Sequence, residues 1–212
     1  MTGDGFDAVS MRQIATEAAI SEDHLFAMFG SLEDLLVAML NREYRDVFAI
    51  IMDNVERDPH GGLVSHIYRY TITGVYERPL ARALYLMDRD GLNTIMRATH
   101  GMAYIPEIGV RREFLDTMRE LGMVRDDVDL EAISAVLSAV SAGAALTAPG
   151  SDLEEVTEGL VALLERGVDA EVVDTTPGKR AFIEYVLALE ENEDKLLHDA
   201  TDGPDPDVDD FE

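Results

Sequence analysis

Histidine, carboxylate and tyrosine side chains are the groups in this sequence able to ligate, titrate or orient a ligand; cysteine is absent. Its absence excludes disulfide scaffolds, thiolate metal sites and thiol nucleophiles, and is compatible with the cytoplasmic location expected here. The five histidines, His24, His60, His66, His100 and His198, follow no recognised metal spacing. Asp194 and His198 stand one helical turn apart and have the spacing to share a cation, but a solvated helix face gives the same pattern. Asp88-x-Asp90-Gly91 has the start of a calcium loop without its remaining ligands or closing Glu, and a helix-ending turn accounts for it. No glycine-rich phosphate loop, nucleophile elbow or paired-His motif is present. The expectation is a non-enzyme with no metal and no cofactor.

A second set of side chains suits ligand binding without chemistry. His66, Tyr70, Tyr76, Tyr85, Met87, Met96, His100 and Tyr104 are spread over the middle of the chain. Met repacks easily around flexible apolar ligands, and a few polar groups fix orientation. The competing reading of each is ordinary core filling.

The elements that position these groups are helical throughout, since no stretch alternates as a strand does. Ser10 and Gln13 have the spacing of a capping box, opening a helix with Met11, Ile14, Ala15 and Ala18 on one face. Ser21 caps a second short helix, predicted to turn Leu25, Phe26 and Phe29 inward. Gly30-Ser31 breaks it, and a longer helix runs from there to about Val55. Asp58-Pro59-His60-Gly61-Gly62 is the clearest stop and the expected boundary of a small front unit, residues 1–57.

Behind it, residues 58–175 read as a body of further helices: about Leu63–Glu77, Leu80–Arg89, Leu92–Ala98 and Ile108–Leu121, the last closed by Gly122. Asp129 caps another through Val140, and Ser151 with Glu154 opens one carrying Leu153 to Leu164. Thr176-Pro177 begins an additional helix over residues 176–198, and residues 199–212, with seven acids and no base, read as a solvated tail. At 212 residues the chain can bury a sizeable core. No apolar run reaches the roughly 20 residues that cross a bilayer, so no membrane partner is expected.

The first two helices, joined by Ala19-Ile20-Ser21, have the size of a helix-turn-helix whose second helix enters a major groove. The run Gly5-Phe6-Asp7-Ala8-Val9-Ser10-Met11-Arg12-Gln13-Ile14-Ala15, followed by Leu25-Phe26-Ala27-Met28-Phe29-Gly30-Ser31-Leu32-Glu33-Asp34-Leu35-Leu36, is more specific. It resembles the DNA-binding module of the TetR family of bacterial regulators over about residues 5–40. The resemblance implies an all-α TetR-like fold: a helix-turn-helix unit, then a ligand-binding and dimerisation body that responds to a small apolar molecule. By family position Arg12, Ser21, His24 and Phe26 would meet DNA. The last two body helices would form the homodimer interface, through Ile133, Val136, Leu137, Val140, Val156, Leu160 and Leu163.

The sequence also departs from that pattern. A further helix precedes the Gly-Phe segment in the family, whereas four residues stand before Gly5 here, so the expectation is either a start set too late or a module lacking one wall of its core. The reading helix opens Ser21-Glu22-Asp23-His24; Phe26 stands where a Tyr commonly reaches phosphate, and Leu32 where a Lys does. Charge sharpens the conflict. The chain carries 17 Lys and Arg against 43 Asp and Glu, net −26, and only two of the bases are lysines. From Met1 to Asn41, Arg12 is the one base against seven acids, net −6. Phosphate neutralisation supplies essentially all non-specific DNA affinity, so charge disfavours DNA as a partner. Two functions follow: a ligand-responsive TetR-like transcriptional regulator, with high salt screening the repulsion, or a TetR-fold small-molecule or partner-binding protein that has lost DNA recognition. An enzyme using the body cavity is a weaker third.

Overall fold

A computed structural model of the chain describes residues 10–78, 81, 112–147 and 153–201. Among them are eight α-helices and one isolated β-bridge. Three serines set the front. Ser10 accepts from Gln13 N while the Gln13 side chain accepts from Ser10 N, which opens α1, Met11–Glu17. Ser21 accepts from His24 N at 3.1 Å and opens α2, Glu22–Phe29. Ser31 accepts from Asp34 N at 3.1 Å and opens α3, Leu32–Arg57. Each bond satisfies an end amide that has no partner inside its own helix. The turn between α1 and α2 passes through Ala19 at φ +55°, and Gly30, at φ +70°, closes α2.

Among the described residues two hydrophobic clusters stand apart. Met11, Ala15, Leu25 and Leu35 pack the head, with Ile14, Phe29 and Leu32 at its edge. Further along α3, Val47, Ile51 and Val55 belong instead to the body core. One continuous helix thus serves both clusters, through Leu35 in the head and from Val47 onward in the body. Each fully buried aliphatic contributes about 1.5–3 kcal/mol, so the head, with few such residues, is the less stabilised unit.

Helix α4, Val64–Tyr76, is the centre of the body, packed between α3 and α7, Leu153–Gly167. Gly74 lets it approach closely: a Cβ there would lie 2.9 Å from Ile51 Cγ1. Tyr68 donates to the Leu137 carbonyl at 2.9 Å, tying α4 to α6, Leu130–Thr147. Helix α5, Arg112–Glu120, buries Phe114, Leu115 and Met118, and Gly122 at φ +74° follows it. Asp129 Oδ1 accepts from the amides of Glu131 and Ala132 at the start of α6, as its capping role predicts.

The additional C-terminal helix is α8, Thr176–Thr201, slightly longer than expected. It is pinned to the corner between α3 and α4. Thr175 Oγ1 donates to the Pro59 carbonyl at 2.7 Å, and Lys179 Nζ to the Glu56 carbonyl at 3.0 Å. The backbones there touch so closely that a Cβ on Gly178 would fall 2.0 Å from the Gly62 oxygen. The expected helices at 80–89 and 92–98, the cap at Ser151, the Asp88–Gly91 turn and residues 202–212 lie outside the described residues, as do the side chains of Asp194 and His198.

Candidate nucleic-acid interface

Leu25 turns α2 onto the head core, with Phe29 half-buried beside it. Phe26, predicted to face inward, does not: it is 45% exposed. One residue advances a helix by 100°, so the residue after a buried Leu25 is carried off the core face. Met28, 57% exposed, and Ile20 in the turn are also open to solvent. The outer surface of α2 therefore presents Phe26 and Met28 with the exposed residues Asp23, His24 and Ala27.

Electrostatics oppose an ordinary DNA contact here. Glu22 and Asp23 occupy the first turn of α2, where they stabilise the helix through its dipole but stand where a phosphate would be received. Arg12 projects from α1, its side chain 82% exposed, and its Nε donates to Glu22 Oε2 at 3.3 Å. Ser21 spends a lone pair on its capping bond and keeps its own proton to donate. Of the four residues assigned to DNA, Arg12, Phe26 and the His24 side chain are exposed on the head, and Ser21 doubles as a cap. The Arg12–Glu22 pair was not readable from helical spacing, because the two residues lie ten apart on different helices.

In the body, the described contacts of His66 and Tyr70 are polar. Both converge on Asp58, the residue that ends α3: His66 Nδ1 lies 2.5 Å from Asp58 Oδ2, and Tyr70 donates to the same oxygen at 2.9 Å. The His60 amide donates to Asp58 Oδ1 at 2.9 Å, and Glu165 Oε1 lies 3.8 Å from His66 Nε2. Burial alone would raise the Asp58 pKa, but the hydrogen bonds from His60, Tyr70 and His66 outweigh it and hold the carboxyl below its ordinary value. Nearby, Asp169 accepts from both the hydroxyl and the amide of Ser65, and burial pushes its carboxyl upward despite those bonds. This polar junction binds α3, α4 and the end of α7 together. Sequence reading missed it, since the signal for a hub is convergence in space.

Tyr85, Met87, Met96, His100 and Tyr104 lie outside the described residues, as does the Tyr76 side chain. A cavity of about 450 Å³ lies between α5 and α8, lined by Phe114, Leu121, Ala181 and Tyr185 with Arg180 and Glu184 among its polar groups. It contains none of the expected pocket residues. Among the described residues no cluster of three or more His, Asp or Glu is arranged to hold a metal ion, and no helix is long and apolar enough to cross a membrane.

The expected dimer residues divide. Leu137 and Leu160 are buried in the chain's own core, with Ile133 and Val140 half-buried against it. Val136, Val156 and Leu163 instead point outward, Leu163 being 69% exposed. Leu137 and Leu160 are therefore part of the chain's own core, whereas Val136 on α6 and Val156 and Leu163 on α7 are exposed apolar residues.

Two short helices packed together ahead of a long one, followed among the described residues by further helices, have the arrangement of a helix-turn-helix protein. Residues 1–39 match the family model described as bacterial regulatory proteins, tetR family. Over that module the chain is similar to the TetR family, and the described residues form an all-α, TetR-like fold. Neither the curated proteins nor the solved structures gave a significant match.

Proposed function

We propose that the chain is a homodimeric transcriptional regulator that reads DNA through α2 and responds to a small apolar ligand held by its body. The observation that carries this is the coincidence of the family match at residues 1–39 with the capped α1–α2 pair and its outward-facing Phe26 and His24. The dimer is supported by the exposed apolar side chains of Val136 on α6 and of Val156 and Leu163, seven residues apart and so on one face of α7, which a second copy would cover. Coupling is supported by α3, which runs without interruption from the head core into the body core, so a ligand that favours one body packing biases head spacing. A mobility-shift assay tests the reading, comparing DNA from upstream of the chain's own coding sequence with random DNA of equal length. Preferential retention of the upstream fragment is expected. No preference at any salt concentration would leave the second reading, a TetR-fold binding protein without DNA recognition, which the net −6 of residues 1–41 favours.

A further inference from the structure

We infer that Glu22 is an internal competitor for Arg12, withholding the single base of residues 1–41 from a DNA phosphate until salt displaces the carboxylate. This rests on the DNA-reading function proposed above. Arg12 leaves α1 and Glu22 opens the reading helix; their side chains meet at 3.3 Å across the turn. A phosphate approaching the N-terminus of α2 meets the Glu22 carboxylate where it would otherwise meet backbone amides. The Glu22 carboxylate already occupies the Arg12 Nε and offsets the cation's charge, so an arriving phosphate meets a partly neutralised guanidinium. Both side chains are open to solvent, so the pair is weakened by salt, whose screening length shrinks from about 10 Å at 0.1 M to about 3 Å at 1 M. Added salt therefore frees Arg12 while it screens the acids around it, opposing the loss of affinity that salt causes in ordinary DNA-binding proteins.

A double-mutant cycle on the full chain tests the competition. Fluorescence anisotropy would follow binding to the upstream duplex, with a random duplex as reference, for the unaltered chain, Glu22→Gln, Arg12→Gln and the double variant. Glu22→Gln is expected to tighten binding at low salt by about three- to fivefold, the scale of an exposed ion pair. The gain should fade by about 1 M salt and be absent when Arg12 is Gln. Glu22→Ala serves as a second neutral variant if Glu22→Gln loses helix content. Equal tightening in both Arg12 backgrounds would overturn the inference, since it would report only removal of negative charge; no tightening would overturn it as well. If no protein prefers the upstream duplex at any salt, the DNA-reading function fails and the inference fails with it.

Discussion

Arg78 grips Glu43 with two hydrogen bonds, Nε to Oε1 at 2.9 Å and Nη2 to Oε2 at 2.6 Å, so the end of α4 is locked to the middle of α3. The Ala81 amide adds a third bond to Glu43 at 3.2 Å. The hydrogen bond from Arg78 holds the Glu43 carboxyl below its ordinary 4.5, against the opposing effect of burial. The Glu43 side chain is only 10% exposed, so loss of its partner strands a charge. Arg78→Met should cost about 2–3 kcal/mol of unfolding free energy, measured by urea denaturation at neutral pH. A lowered carboxylate pKa gives stability that is present above the unfolded value and lost as pH falls through the folded one. The penalty of Arg78→Met should therefore shrink below pH 4.5; a penalty that persists unchanged there would contradict the ion-pair account.

Asp58 and Asp169 lie near the same corner with opposite shifts, which separates them experimentally. Asp58, lowered, contributes stability at neutral pH that disappears in acid. Asp169, raised, binds its proton more readily folded than unfolded, so its ionisation costs stability as pH rises from its ordinary 3.8 through the folded value. Asp169→Asn, which can still accept from Ser65, should leave the protein as stable or more stable at pH 8. Asp58→Asn should weaken it there. Thermal melts of both variants across pH 4–8 check the signs, and a matching pH response in the two would contradict the assignment.

Gly178 is needed for space, not for flexibility. Alanine there would place Cβ 2.0 Å from the Gly62 carbonyl oxygen. Alanine's helix propensity would favour the first turn of α8 by about 1 kcal/mol, but a backbone clash of this depth costs about 3 kcal/mol or more. Gly178→Ala should thus be net destabilising and release α8 from the corner. Hydrogen exchange at the start of α8 would show it; unchanged protection would refute the close contact.

Legibility in the sequence followed the range of each interaction. The serine caps at Ser10, Ser21 and Ser31 and the Gly122 stop were readable, because each is decided within a few residues. Phe26 was misplaced because a short apolar run does not say which of two adjacent residues the core takes. His66 and Tyr70 were read as pocket groups by residue type, yet Asp58 claims both from 8 and 12 residues away. Leu137 and Leu160 have the periodicity of an interface, and periodicity does not distinguish a partner's core from the chain's own. The Gly62–Gly178 contact spans 116 residues, beyond any local signal.

Leu163 tests the association surface without touching the core. Its exposure means that Leu163→Glu should leave the monomer's melting temperature nearly unchanged while breaking the dimer. Analytical ultracentrifugation should show a dimer for the unaltered chain and a monomer for the variant. A dimer that survives Leu163→Glu combined with Val156→Glu would place the interface elsewhere.

The central claim is that this head reads DNA with almost no cationic contribution, and the salt dependence of affinity measures that directly. With Arg12 the one base of residues 1–41, hence two per dimer, the slope of log affinity against log salt should be no steeper than about −2, whereas six to ten phosphate contacts give about −5 to −9. The account predicts binding to the upstream duplex that persists with a shallow slope into molar salt. A steep slope, with affinity falling a thousandfold or so between 50 and 200 mM salt as in ordinary basic readers, would contradict it.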